Sequence, residues 1–213
     1  VKSTSNLLTI GLATVALGLS ACGAPEGAGE GPGVGPATET FSPEASESAG
    51  SASAMPTGEL GSGTFAEYSE GAVAVTYNPS RVPEGSSAQV DLEEAEGSTT
   101  VSLSVEGLEP DMMYGAHVHV GACGEDPDDA GPHYQNEQDP ETPSTNPQYA
   151  NPENEIWLDF STDPEGNAKA QSSVDWQLRE GEGRSVVIHA MHTKTEEGEA
   201  GTAGDRLACI TIR

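Results

Sequence analysis

Five histidines occur in the 213-residue chain, and four of them stand where one metal ion could be held. His117 and His119 are separated by one residue in Ala116-His117-Val118-His119-Val120. Side chains alternate along an extended strand, so both imidazoles leave one face, while Val118 and Val120 leave the other towards a core. Two rings so placed can bind one ion without backbone distortion. Gly131-Pro132-His133 puts a third imidazole on a rigid turn, and His189 ends the apolar run Ser185-Val186-Val187-Ile188. Imidazole suits zinc, copper, iron and nickel. A set of four, with no thiolate or carboxylate among them, favours a redox-cycling copper ion over a structural zinc. Taken alone, the His-x-His pair is equally the mark of two exposed strand histidines. His192 reads as an exposed loop residue, Met112 and Met113 as packing residues, and Trp157 and Trp176 as core or edge residues.

These side chains need a rigid scaffold, and the pattern from Phe65 onward supplies one. Short β-rich runs follow each other: 72–77, 87–92, 100–105, 116–120, 156–160, 167–174, 185–190 and 207–212. The run 100–105 is apolar at every odd position. Gly, Pro, Asn and Asp punctuate the gaps, and no amphipathic helix appears. Eight short strands of this kind predict an all-β domain, a sandwich or barrel, over residues 65–213. About 150 residues suffice for one core.

The amino terminus reads as an address. Lys2 precedes a mostly apolar run from Leu7 to Leu19, followed by Ser20-Ala21-Cys22. This is the layout of a secretory signal over residues 1–21. The Leu-Ser-Ala-Cys ending resembles a bacterial lipobox, which implies that Cys22 becomes the lipidated first residue of the mature chain. Acyl chains there would anchor the protein to the extracytoplasmic face of a bacterial cell membrane. No apolar run reaches the ~18 residues of a spanning helix. Residues 22–64 hold Gly, Ala, Pro, Ser, Thr and six Glu, with no Lys or Arg. Such a segment buries too little apolar surface to offset its ordering entropy, and it is expected to be a disordered tether.

Asp and Glu number 35 against 8 Lys and Arg, a formal charge of -27. That excludes a nucleic-acid partner bound through phosphate neutralisation, which requires a basic footprint. The pattern carries no signal for an oligomeric interface.

Four separated blocks, Gly115-Ala116-His117-Val118-His119, Gly131-Pro132-His133, Val186-Val187-Ile188-His189 and Gly201-Thr202-Ala203-Gly204-Asp205-Arg206-Leu207-Ala208-Cys209, resemble the copper,zinc superoxide dismutase family, in the same order. The resemblance covers roughly residues 70–213. It implies an eight-stranded Greek-key barrel with the copper site on its outer wall and superoxide as substrate. It assigns His117, His119, His133 and His189 as copper ligands, with His133 in the place of the imidazole that bridges copper to zinc. Arg206 takes the place of the arginine that guides the anion, and Cys123 and Cys209 those of the intradomain disulfide. The cysteine count agrees: with Cys22 lipidated, two of three cysteines remain, and export favours their pairing.

Two departures stand out. The family's zinc ligands, two histidines and an aspartate, follow the bridging histidine, yet 134–155 contains no histidine. The span from His189 to Arg206 is also short for the family's charged loop. Both resemble the copper-only branch, so copper is the expected cofactor and zinc is not expected. His133 then requires another partner for its second ring nitrogen. Lys194 is a secondary candidate for anion guidance beside Arg206, and Asp126, Asp128 and Asp129 are expected to weaken it. The reading is a lipid-anchored copper-dependent superoxide dismutase. The alternatives are a non-enzymatic envelope copper binder on the same fold and a structural surface lipoprotein with motif remnants.

Overall fold

The structure, a computed structural model, describes residues 57–212. The signal, Cys22 and the tether up to residue 56 lie outside the described residues. Among the described residues nine strands form: β1 (Gly58–Thr64), β2 (Ala74–Thr76), β3 (Ser87–Ala95), β4 (Ser98–Glu106), β5 (Met113–His119), β6 (Phe160–Ser161), β7 (Ala168–Val174), β8 (Ser185–His189) and β9 (Arg206–Thr211). They build two sheets, ordered β1-β3-β4-β7 and β2-β9-β8-β5-β6. All strand pairings within the sheets are antiparallel. β4 lies beside β7 and β5 beside β8, the crossovers of a Greek-key arrangement. A short 3-10 turn, Pro127–Ala130, interrupts the all-β pattern of the described residues.

Alternation places the core. Ala88, Val90 and Leu92 of β3 face Val105, Leu103 and Val101 of β4 in register, and all six are buried. Tyr114, Ala116 and Val118 of β5 and Val186 and Ile188 of β8 close the core from the other sheet. β3 and β4 meet at the two-residue turn Glu96-Gly97, both at positive φ, as a tight twisted hairpin requires.

Three features differ from the sequence reading. β1 falls inside the span read as tether. Its only large apolar residue, Leu60, leaves no alternation to detect; the strand is held by backbone pairing to the edge of β3. Gly61 and Gly63 let it approach the second sheet, because a Cβ would lie 2.5 Å from Thr211 O and 2.9 Å from Ala74 Cβ respectively. Second, the expected strand 156–160 is mostly an irregular extended segment. Val118 N donates to Ile156 O and Leu158 N to Ala116 O, but Ala116 N then turns to the Asp159 carboxylate at 3.2 Å. A side chain thus takes the place of a ladder carbonyl. Third, Val120 is 37% exposed, not a core residue, because β5 ends at His119. Met113 is likewise 58% exposed, while Met112 packs on the core.

Candidate metal centre

β5 delivers His117 and His119 to its outer face, where their even-numbered neighbours keep the strand seated in the core. β8 lies alongside, pairing Gly115 with His189 and His117 with Val187, so His189 joins the same face. The bend after Gly131 returns His133 to the strand end, where it bridges to His119. One ligand atom from each of the four imidazoles falls within 4.8 Å of the other three. An imidazole nitrogen sits about 2.0 Å from a bound first-row ion, so opposite ligands are ~4 Å apart and small ring shifts close the set.

The hydrogen bonds decide which nitrogen each ring turns inward. His119 Nδ1 donates to Gly131 O (2.8 Å), His133 Nδ1 to Glu155 Oε2 (2.7 Å) and His189 Nδ1 to Gly204 O (3.3 Å). Each therefore keeps its Nε2 lone pair free. The Nε2 atoms of His119 and His189 face each other at 3.4 Å, two lone pairs with no proton between them. His117 is reversed. Its Nε2 meets Thr193 Oγ1 at 2.6 Å, and its buried Nδ1 has no hydrogen-bond partner among the described residues. Four inward lone pairs, one of them orphaned in the interior, are a donor set for a cation. Burial, reinforced by the neighbouring rings, holds His117 and His119 well below the ordinary histidine pKa, and holds His189 down to about 3. These three rings are neutral at physiological pH, the form that ligates.

Behind the ligands lies a set of residues that motif reading passed over. Glu155, 1% exposed, accepts from His133 Nδ1, Trp157 Nε1 and Gln135 Nε2, each at 2.7 Å. It is the partner that the second nitrogen of His133 required. Asp159 accepts Thr193 N and Thr193 Oγ1, both at 2.7 Å. The alternation in 155–160 could have revealed both: Ile156, Leu158 and Phe160 enter the core, so Glu155, Trp157 and Asp159 must face the histidines.

Arg206 lies at the opening. Its Nη1 and Nη2 donate to Pro127 O and Gly131 O, both at 2.8 Å, and Nε is 3.7 Å from the exposed Asp128 carboxylate. The Cys123–Cys209 disulfide joins the loop that carries those carbonyls to β9. Asp126 and Asp129 cap the short turn inside this loop reciprocally. A cavity of about 700 Å³ opens onto His133, His189 and Arg206, while His117 and His119 lie buried behind its lining. His192 is exposed and bonded to Phe160 O; Lys194 pairs with Glu199. Neither belongs to the cluster.

An antiparallel sandwich with convergent imidazoles on its flank defines a β-sheet metalloprotein with a partly open centre. The profile of the copper/zinc superoxide dismutase (SODC) family matches residues 86–212, and the chain belongs to that family. Among solved structures it is similar to the Cu/Zn superoxide dismutase from Brucella abortus, at 22% identity over 66% of this chain and 96% of that one, TM-score 0.47. It is also similar to a point mutant of a SOD-like protein from Bacillus subtilis, at 19% identity over 60% and 88%, TM-score 0.45. No curated protein sequence matches it.

Proposed function

We propose that this protein is a copper-dependent superoxide dismutase whose centre works without a bridged second metal. The observation that carries the reading is the orphaned Nδ1 of His117, buried and aimed with three other lone pairs at one point beside Arg206. Bound copper would supply alternating one-electron chemistry, by which one superoxide leaves as dioxygen and a second, with two protons, leaves as hydrogen peroxide. The protein's own part is electrostatic and geometric. The Arg206 guanidinium presents a fixed positive charge at the opening, held by two carbonyls, and suits a small anion. Glu155 orients His133 through the ring nitrogen that faces a second metal elsewhere in the family. That contact, with a histidine-free loop before it, favours copper alone. His117 and His119 are themselves shielded from solvent.

We also infer that residues 1–21 are removed and that a lipid on Cys22 places the domain at the extracytoplasmic face of the membrane. A disulfide in the domain suits that oxidising side. Loss of the protein from the membrane fraction in Cys22→Ser, with the wild type retained there, is the expected result.

The test of the activity is metal analysis of the full chain together with its rate of superoxide decay. One copper per chain, no zinc and catalysed decay is the expected outcome. Stoichiometric copper without catalysis would leave the non-enzymatic copper binder, and no copper the structural lipoprotein.

A further inference from the structure

We propose that Thr193 is a positioning residue for His117, a hydroxyl relay ended by Asp159 that dictates which imidazole nitrogen faces the metal. The inference rests on the copper-centre reading above. A threonine hydroxyl has one proton to give. Here Thr193 Oγ1 gives it to Asp159 Oδ1 at 2.7 Å, an acceptor-only partner when ionised. The oxygen that also meets His117 Nε2 at 2.6 Å must therefore accept. The His117 proton is thus placed on Nε2, and Nδ1 is left as the inward lone pair without a partner. Asp159 itself lies 3.8 Å from Nε2, too far to do this directly.

Asp159 is itself fixed, by Thr193 N at 2.7 Å and Ala116 N at 3.2 Å. Thr193 cannot drift either. Its segment crosses β5 over Gly115, where a Cβ would come within 2.6 Å of Met191 O, 2.7 Å of Ala203 Cβ and 3.3 Å of Thr193 Oγ1. The same connection ends at Gly204, whose carbonyl holds His189. One loop therefore sets two ligands, His117 through a side chain and His189 through the backbone. Without the hydroxyl, nothing in the pocket selects the His117 tautomer, and a proton on Nδ1 would point at the ion.

The full-length chain tests this in two ways. In the metal-free wild type, long-range ¹H–¹⁵N spectra of the histidine rings should place the His117 proton on Nε2. In Thr193→Val, of similar shape, copper(II) affinity measured against a competing chelator should fall ~10–100-fold, as for other outer-shell contacts. The copper(II) electron-spin-resonance spectrum should change with it, and Thr193→Ser should restore both. A wild-type proton on Nδ1 would overturn the proposal even if the valine variant does not fold. So would a valine variant with wild-type affinity and spectrum. Neither readout involves turnover, so an inactive wild type would remove the dismutase reading and leave the relay standing.

Discussion

His119 and Arg206 share one acceptor, the carbonyl oxygen of Gly131, each at 2.8 Å. A proposed copper ligand and the guanidinium at the cavity's opening are thereby referenced to the same backbone atom. The shape of the loop from Gly121 to Gly131 then sets both the ligand's orientation and the position of the positive charge. Gly121 N pairs with Ala130 O at its base, and Tyr77 OH with Gly124 O near its tip. A lysine at 206 cannot span the carbonyls of Pro127 and Gly131 together. Arg206→Lys should keep its copper and lower kcat/KM about tenfold, the loss of one charge-assisted contact of ~1.5 kcal/mol. Unchanged turnover would remove Arg206 from anion guidance.

The disulfide is the covalent end of that loop. Cys123 and Cys209 are 86 residues apart, and closing such a loop is worth about 4–5 kcal/mol in the chain-entropy description. The double variant Cys123→Ser, Cys209→Ser should unfold at lower denaturant by roughly that amount. Its turnover and its copper content should both fall, because the loop's Gly131 carbonyl holds both Arg206 and His119.

Glu155 tests what orients His133. Glu155→Ala leaves His133, Gln135 and Trp157 donors without their acceptor in a buried site. Stability should fall by about 1–3 kcal/mol per stranded donor at most. Copper affinity should drop ~10–100-fold. Retention of full affinity by a folded Glu155→Ala would show that His133 is oriented by something else.

The metal-free protein should lose stability as pH falls. In the unfolded chain a histidine takes up its proton near pH 6.5. In the fold, burial delays this for His117 and His119 to well below that value and for His189 to about 3. Between those limits the unfolded state holds more protons, so stability is greatest above about pH 6.5 and declines towards about pH 3. Thermal unfolding of the metal-free chain from pH 7.5 to 4.5 should show this slope, and His189→Gln should make it shallower. Equal slopes for the two would contradict the assignment.

The acidic surface should make catalysis insensitive to salt. The Debye length is ~8 Å at physiological ionic strength, so most of the -27 charge is screened from the opening. Asp128 is the carboxylate beside the guanidinium, 3.7 Å from Arg206 Nε. It is exposed, so its effect should be small: Asp128→Asn should raise kcat/KM by less than about threefold. A rate that falls steeply with added salt would mean a steering field that this charge pattern does not contain.

Most of the ligand set was legible in the sequence, for a simple reason. Imidazoles at 117 and 119 share a strand face by geometry alone, the runs 87–92 and 100–105 alternate strongly enough to name their strands, and Val186-Val187-Ile188 names its strand as a short apolar run. The family resemblance supplied the roles of His133, His189 and Arg206 and, together with the cysteine count, the Cys123–Cys209 pairing, none of which local periodicity gives. β1 was hidden because it is built from backbone pairing and small residues, which leave no hydrophobic period. Alternation in 155–160 marks the face of Glu155 and Asp159, but their roles and that of Thr193 were hidden because they belong to partners 22, 43 and 76 residues away in the chain.

What the chain determines alone is therefore the kind of donor and its strand face, since side-chain chemistry and the two-residue repeat are local properties. Which nitrogen of each ring turns inward, and which carboxylate stands behind it, is settled only when distant segments pack. A tautomer is chosen by the hydrogen-bond partner on the far side of the ring, and that partner is a product of the fold.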